Sequence, residues 1–166
     1  DAALSGFDQK SVLRYLRSAL SPVDPDTCDR IENYAIIWGI RGQKWAQSWE
    51  NHPDGLSGVW TEEDQHRLEE LNTARELAIA PLTRLWQGFR DASDLRGQIL
   101  ALYGFLEDIS LEMRLSRMAQ ELDAAGDNRA AQILNQLWEI LLGALEQMYD
   151  VLGDTHWEGE QFIRLF

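Results

Sequence analysis

A chain of 166 residues with a net charge of −13, seven Trp and one Cys has the length of one domain that buries about 70% of its unfolded surface. The acidic balance argues against broad nonspecific binding to nucleic-acid phosphates, and a single Cys28 excludes an internal disulfide and fits a reducing cytoplasm. No apolar run approaches the ~20 residues that cross a bilayer, and the opening Asp1-Ala2-Ala3-Leu4-Ser5-Gly6 has neither the basic region nor the apolar stretch of a signal peptide.

The first predicted helix runs from Asp8 to Leu20, with Val12, Leu13, Leu16 and Leu20 on one face. Ser21-Pro22-Val23-Asp24-Pro25 breaks it. Asp24 then suits an N-cap and Pro25 the first helical position. The second helix runs to Trp38, with Ile31, Tyr34, Ala35 and Trp38 at i, i+3, i+4, i+7. Gly39 fits the left-handed residue past a helix end. A short third helix is expected after Gly42, carrying Lys44, Trp45 and Trp49. Asn51 to Gly58 reads as a loop.

Thr61-Glu62-Glu63-Asp64 is a capping signature with acids at the positive helix end. Its helix continues through Leu68, Leu71 and Leu77, and Pro81 either kinks it or starts a new helix ending near Phe89. Ser93 is the expected cap of a helix with Leu95, Ile99, Leu102 and Leu106 inward. Ser110 is the expected cap of another, with Leu111, Leu115, Met118 and Leu122 inward and Gly126 past its end. Asp127 begins what reads as the longest amphipathic helix. Its apolar set is Ile133, Leu134, Leu137, Trp138, Leu141, Leu142, Leu145, Met148, Tyr149 and Leu152, and Gly153 stops it. Thr155 is the expected cap of a last helix holding Trp157, Phe162 and Phe166. No strand signal, repeat or low-complexity segment interrupts this series. The expectation is an all-α fold, an irregular bundle of about seven or eight helices, forming a single domain over residues 1–166 with a candidate sub-boundary in the loop 51–60. Both ends read as cut, which suggests a domain of a longer protein.

Catalytic chemistry is hard to find. A phosphate-binding loop needs a glycine before its lysine, and the only lysines follow glutamines, Gln9-Lys10 and Gln43-Lys44. His52, His66 and His156 are far apart, lack ligand spacing with Cys28, and read as surface residues. Ser57 has no nucleophile-elbow context. Asp29-Arg30-Ile31-Glu32 imitates an acidic metal-binding core, yet the four residues fall inside a predicted helix rather than at a strand end beside a lysine. An independent hydrolase built on Asp/Glu pairs has no support beyond the number of acids. No catalytic, cofactor or metal residue is assigned.

The charge is uneven. Residues 1–50 hold six basic and seven acidic residues, and the remainder hold nine and twenty-one. Any contact with DNA is therefore expected in the first third. Within it, Gly39-Ile40-Arg41-Gly42 lies between two predicted helices. Gly39 and Gly42 permit close backbone approach, a helix start after Gly42 would offer free N–H groups to phosphate, and Arg41 and Lys44 add charge. The simpler alternative is that Gly39 ends one helix, Gly42 starts the next, and Trp38 packs on Trp45.

The run from Asp29 to Trp45 resembles a signature stretch of the AddB family, the B subunits of ATP-dependent helicase/nucleases. The Ser11–Leu20 stretch resembles another, with Leu13 in place of an aromatic and Ala19 in place of a glycine. Ala80-Pro81-Leu82, Leu102 to Glu107, Leu137-Trp138, Val151 to Asp154 and Gln161-Phe162 follow in the family's order. The resemblance implies a non-catalytic helical segment similar to the 2B insertion of UvrD-type superfamily 1 helicases. In such helicases a glycine hairpin meets duplex phosphates. The matching place here is Gly39-Ile40-Arg41-Gly42, with Arg41 as an extra residue. It thus implies DNA contact at Gly39, Arg41, Gly42 and Lys44, and a cytoplasmic role in double-strand break repair and recombination. It also implies packing against other domains and against the partner A subunit of the helicase/nuclease. No cofactor is implied for this segment. The parent family uses ATP, Mg²⁺ and an iron–sulfur cluster in its nuclease domain. A protein–protein scaffold without DNA contact is the competing reading, motivated by the acidic excess after residue 50 and the many Trp.

Overall fold

A computed structural model describes residues 2–3, 5–56 and 58–155. Every regular element among them is helical, as expected: α1 (Gln9–Leu16), α2 (Pro25–Ile37), a 3-10 turn (Gly42–Trp45), α3 (Glu62–Asp91), α4 (Leu95–Asp108), α5 (Leu111–Ala124) and α6 (Asn128–Leu152). Six α-helices among the described residues are fewer than predicted, for three reasons. The third helix is only a 3-10 turn. Pro81 lies inside α3 without dividing it, so α3 and not α6 is the longest at 30 residues. Its ring leaves the Leu77 carbonyl without an amide partner, but Leu77 is exposed, where solvent reaches. The expected last helix with Trp157, Phe162 and Phe166 lies outside the described residues, as do Ser57 and His156. The helices establish the all-α class. Nothing in them singles out a 2B-type insertion.

The chain forms two compact units, residues 1–86 and 87–166. In the first, α1 packs on α2. The Asp8 carboxylate accepts from the Ser11 N–H at 3.1 Å, and Asp24 accepts from the Thr27 N–H at 3.0 Å and its hydroxyl at 2.7 Å. These bonds satisfy the first-turn amides. Helix α1 stops at Leu16 rather than Leu20. The Ser18 hydroxyl donates to the Tyr15 carbonyl at 2.7 Å and accepts from the Leu20 N–H at 3.2 Å, which gives the backbone an alternative to another helical turn. The core is built from Val12, Leu16, Ile31, Tyr34, Ala35 and Trp45. The loop 51–60 lies inside this unit. It leads into the predicted capping box: the Asp64 N–H donates to the Thr61 hydroxyl at 3.2 Å, and the Thr61 N–H donates to the Asp64 carboxylate at 3.0 Å.

In the second unit α5 and α6 lie along each other and α4 packs on both. Asp94, not Ser93, caps α4, accepting from the Gly97 N–H at 2.9 Å. Ser110 precedes α5 in a left-handed conformation and makes no side-chain cap bond. Leu111 and Leu115 are buried as predicted, but the next inward residue is Ala119, and Met118 is exposed. On α6 the inward face includes Ala131 and Leu145, whereas Ile133 and Leu137 point to solvent with Ile140. The predicted apolar set is too wide, because Ile133 and Leu137 lie beyond the edge of the packed face and are exposed.

Candidate functional site

The turn between α2 and the 3-10 segment ends α2 through two reciprocal bonds. The Ile40 N–H donates to the Ala35 carbonyl at 2.9 Å, and the Gly39 N–H donates to the Ile36 carbonyl at 3.4 Å. This is the Schellman arrangement, with Gly39 at φ +58 and Ile40 buried behind it. Gly42 is also left-handed, at φ +59, and its N–H donates to the Phe7 carbonyl at 2.9 Å. The amides of Gly39, Ile40 and Gly42 are thus occupied within the chain. The segment after Gly42 is a single 3-10 turn of four residues, not the helix whose N-terminus was to face a phosphate. What the turn presents outward is side-chain charge. Arg41 and Lys44 are exposed, and neither has a carboxylate partner among the described residues.

Behind this turn lies an aromatic block. Tyr34 stacks on Trp49 at 4.5 Å between ring centroids, and Trp49 meets Trp45 at 5.8 Å. Trp38 does not pair with Trp45. Its indole N–H donates to the His52 carbonyl at 3.0 Å. The Tyr34 hydroxyl donates to the Asn51 carbonyl at 3.1 Å and accepts from the Asn51 N–H at 3.0 Å. Asn72 on α3 clasps Trp49, accepting from its N–H at 2.7 Å and donating to its carbonyl at 2.9 Å. The Trp49 indole N–H donates to the Lys44 carbonyl at 3.1 Å, so the block anchors the backbone at Lys44.

Arg75 is the residue that the sequence reading missed. It is 6% exposed, and its Nη1 donates to the Trp45 carbonyl at 3.0 Å. Its guanidinium carbon lies 5.9 Å from the Trp49 ring centroid. Burial pushes its pKa down from the usual guanidinium value. The signal was legible: Leu71, Arg75, Ala78, Ile79 and Leu82 share the inward face of α3, and a charge inside such a stripe is unusual.

His52, expected at the surface, is also buried, at 8% exposure. The Asp54 N–H donates to its Nδ1 at 3.1 Å, which leaves the proton on Nε2 when the ring is neutral. Nε2 faces the Asp64 carboxylate at 3.4 Å, and the ring lies against Trp60 at 4.8 Å. Asp64 also accepts from the Thr61 hydroxyl at 2.6 Å and from Arg67, and Arg67 reaches Asp54 at 2.6 Å. The Thr61 hydroxyl and then Arg67 hold the Asp64 carboxyl far below the ordinary carboxylate range. His52, Asp54 and Asp64 are close enough to share a metal ion. Two features fit a structural clasp better. The Arg67 cation already bridges both carboxylates, and the Nε2 proton occupies the position a metal would need. The other two acids singled out from sequence, Asp29 and Glu32, form no such group. Glu32 pairs with Arg17 at 2.5 Å, and Asp29 is exposed. His66 is exposed, as expected.

No family model matches the chain. It is similar to proteins named as the B subunit of an ATP-dependent helicase/deoxyribonuclease. The one from Caldanaerobacter subterraneus subsp. tengcongensis is 29% identical over 164 residues, 98% of this chain and 14% of the relative. That from Moorella thermoacetica is 33% identical over 169 residues, covering 99% and 15%. That from Anoxybacillus flavithermus is 33% identical over 141 residues, covering 82% and 12%. The chain thus spans no more than 15% of the length of these curated relatives.

Proposed function

We propose that this chain, a relative of the B subunits of ATP-dependent helicase/deoxyribonucleases over nearly its whole length, is a non-catalytic helical accessory segment of a helicase/nuclease. It serves double-strand break repair and recombination by packing against neighbouring domains and by guiding duplex DNA. The names of the relatives support the helicase/nuclease setting. The glycine turn between two elements, as in UvrD-type helicases, supports reading its place in that setting as 2B-like. The A subunit is the natural partner of a B subunit. ATP, Mg²⁺ and an iron–sulfur cluster belong, in this reading, to other parts of the parent, and its compartment is the cytoplasm.

One observation carries the DNA contact. Arg41 and Lys44 are exposed and without ion pairs among the described residues, on a turn whose backbone is fixed by the Gly39, Ile40 and Gly42 hydrogen bonds. Contact is then made by side-chain charge, with Gly39 and Gly42 shaping the turn rather than donating to phosphate. The test is fluorescence anisotropy of the chain with a duplex–single-strand junction across a salt series. Arg41→Glu with Lys44→Glu should abolish salt-sensitive binding, because each phosphate contact contributes about one unit of salt slope. Equal binding by wild type and the double variant at low salt would refute the contact at Arg41 and Lys44, and no binding by wild type would sink the DNA reading.

The scaffold reading has its own observation. Ile133, Leu137 and Ile140 lie exposed along one side of α6, with Ile140 at 63%, and apolar rows of that kind mark contact surfaces. Under it, the junction would fail to bind wild type as well.

A further inference from the structure

Arg75 is a buried cation without a carboxylate. Its hydrogen bond runs to the Trp45 carbonyl, its face lies near the Trp49 ring, and its Nε is buried with no partner. A carbonyl and a ring are dipolar and quadrupolar neighbours. Neither supplies the countercharge that a desolvated guanidinium ordinarily has. The one acid that acts on it, Glu76, is the next residue along α3 and is exposed.

The side chain also lines a cleft of about 350 Å³, walled by Ala46, Ile79 and Ala80 with Glu76, Thr83 and Arg84. The cleft belongs wholly to the unit of residues 1–86. The Thr83 hydroxyl donates to the Ile79 carbonyl at 3.1 Å, so its remaining capacity is as an acceptor. The Arg75 guanidinium is therefore the buried donor and positive charge of this space. We propose that the cleft binds a single oxyanion of the phosphate class, with Arg75 as the buried anchor. A planar guanidinium fork matches phosphate oxygens two at a time. Apolar walls raise the strength of that contact by lowering the local dielectric. Glu76 at the same cleft opposes a larger polyanion and restricts the site to one compact group. The proposal does not depend on Arg41 and Lys44.

The experiment is thermal melting and calorimetric titration of the chain with inorganic phosphate, against sodium chloride at matched ionic strength. Phosphate should raise the melting midpoint where chloride does not, because a ligand that binds only the folded state stabilises it by mass action. Ala46→Glu places a carboxylate beside Trp45, where it gives Arg75 an internal counter-ion. This variant should remain folded and lose the phosphate response. Arg75→Lys keeps the charge, removes the fork, and should weaken phosphate binding at least tenfold. Equal midpoints in phosphate and chloride, or an undiminished response in Ala46→Glu, would overturn the site. Two arms separate the source of the phosphate. If Ala46→Glu also weakens binding of the labelled junction, the oxyanion is a nucleic-acid phosphodiester. If junction binding is unchanged while inorganic phosphate binding is lost, it is a free phosphate or phosphate monoester. The double variant at Arg41 and Lys44 should keep the phosphate response, so failure of the turn and failure of the cleft give different results.

Discussion

Gly39→Ala isolates the cost of the turn that orients Arg41 and Lys44. A Cβ at Gly39 would meet no heavy atom within 4 Å, so the substitution creates no clash. The whole penalty is conformational, since Gly39 sits at φ +58 and an L-residue there costs about 1–2 kcal/mol. For a chain of this size each kcal/mol moves the melting midpoint by about 2–4 °C, which gives a loss of about 2–8 °C. Gly126→Ala is the matched control. Gly126 ends α5 by the same pair of bonds, Gly126 N–H to the Asp123 carbonyl at 3.0 Å and Asp127 N–H to the Leu122 carbonyl at 2.9 Å. Its φ is +86 with nothing near the added atom, so a similar loss is expected. Gly39→Asn should recover part of the loss, because asparagine tolerates the left-handed region. The assay is differential scanning calorimetry of the three variants. A Gly39→Ala midpoint within about 1 °C of wild type, well inside the shift expected for a strained cap, with no benefit from asparagine, would refute the left-handed cap and with it the fixed turn.

Ile31→Ala should be the more severe change. Ile31 is fully buried at 0% exposure, and large-to-small core substitutions cost about 2–5 kcal/mol. Urea denaturation followed by Trp fluorescence should show the midpoint fall with the slope unchanged. Acid lability follows from the carboxylates at helix starts. Hydrogen bonds from Ser11 pull Asp8 down to about 2, Thr27 lowers Asp24, and Thr61 and Arg67 lower Asp64. A depressed folded-state pKa contributes stability that is complete above the unfolded value, about 3.9, and is lost as pH falls through the folded value. Melting midpoints should therefore be flat above about pH 5 and fall steeply below about pH 4. Asp64→Asn should be less stable at neutral pH and show a shallower acid slope. An unchanged slope would mean that Asp64 is not held in its ionised form.

Where most helices begin and end was legible in the order of residues alone. Asp24-Pro25, the Thr61–Asp64 box, Gly39 and Gly126 act through bonds spanning only a few residues, so their effect is local. The exposed pair Arg41 and Lys44 was legible in the same way. Which side of each cylinder meets a neighbour was not, because it depends on residues far apart in the chain. Packing left Ile133, Leu137 and Met118 exposed and buried His52 and Arg75. Arg75 is the clearest case. Its place in the apolar stripe of α3 is a local signal, but its backbone carbonyl partner, Trp45, is 30 positions away, and only the tertiary structure closes the cation in behind the turn. The same holds for the amide of Gly42. Its partner is the carbonyl of Phe7, and that one long-range bond shifts the candidate DNA contact from backbone amides to side-chain charge.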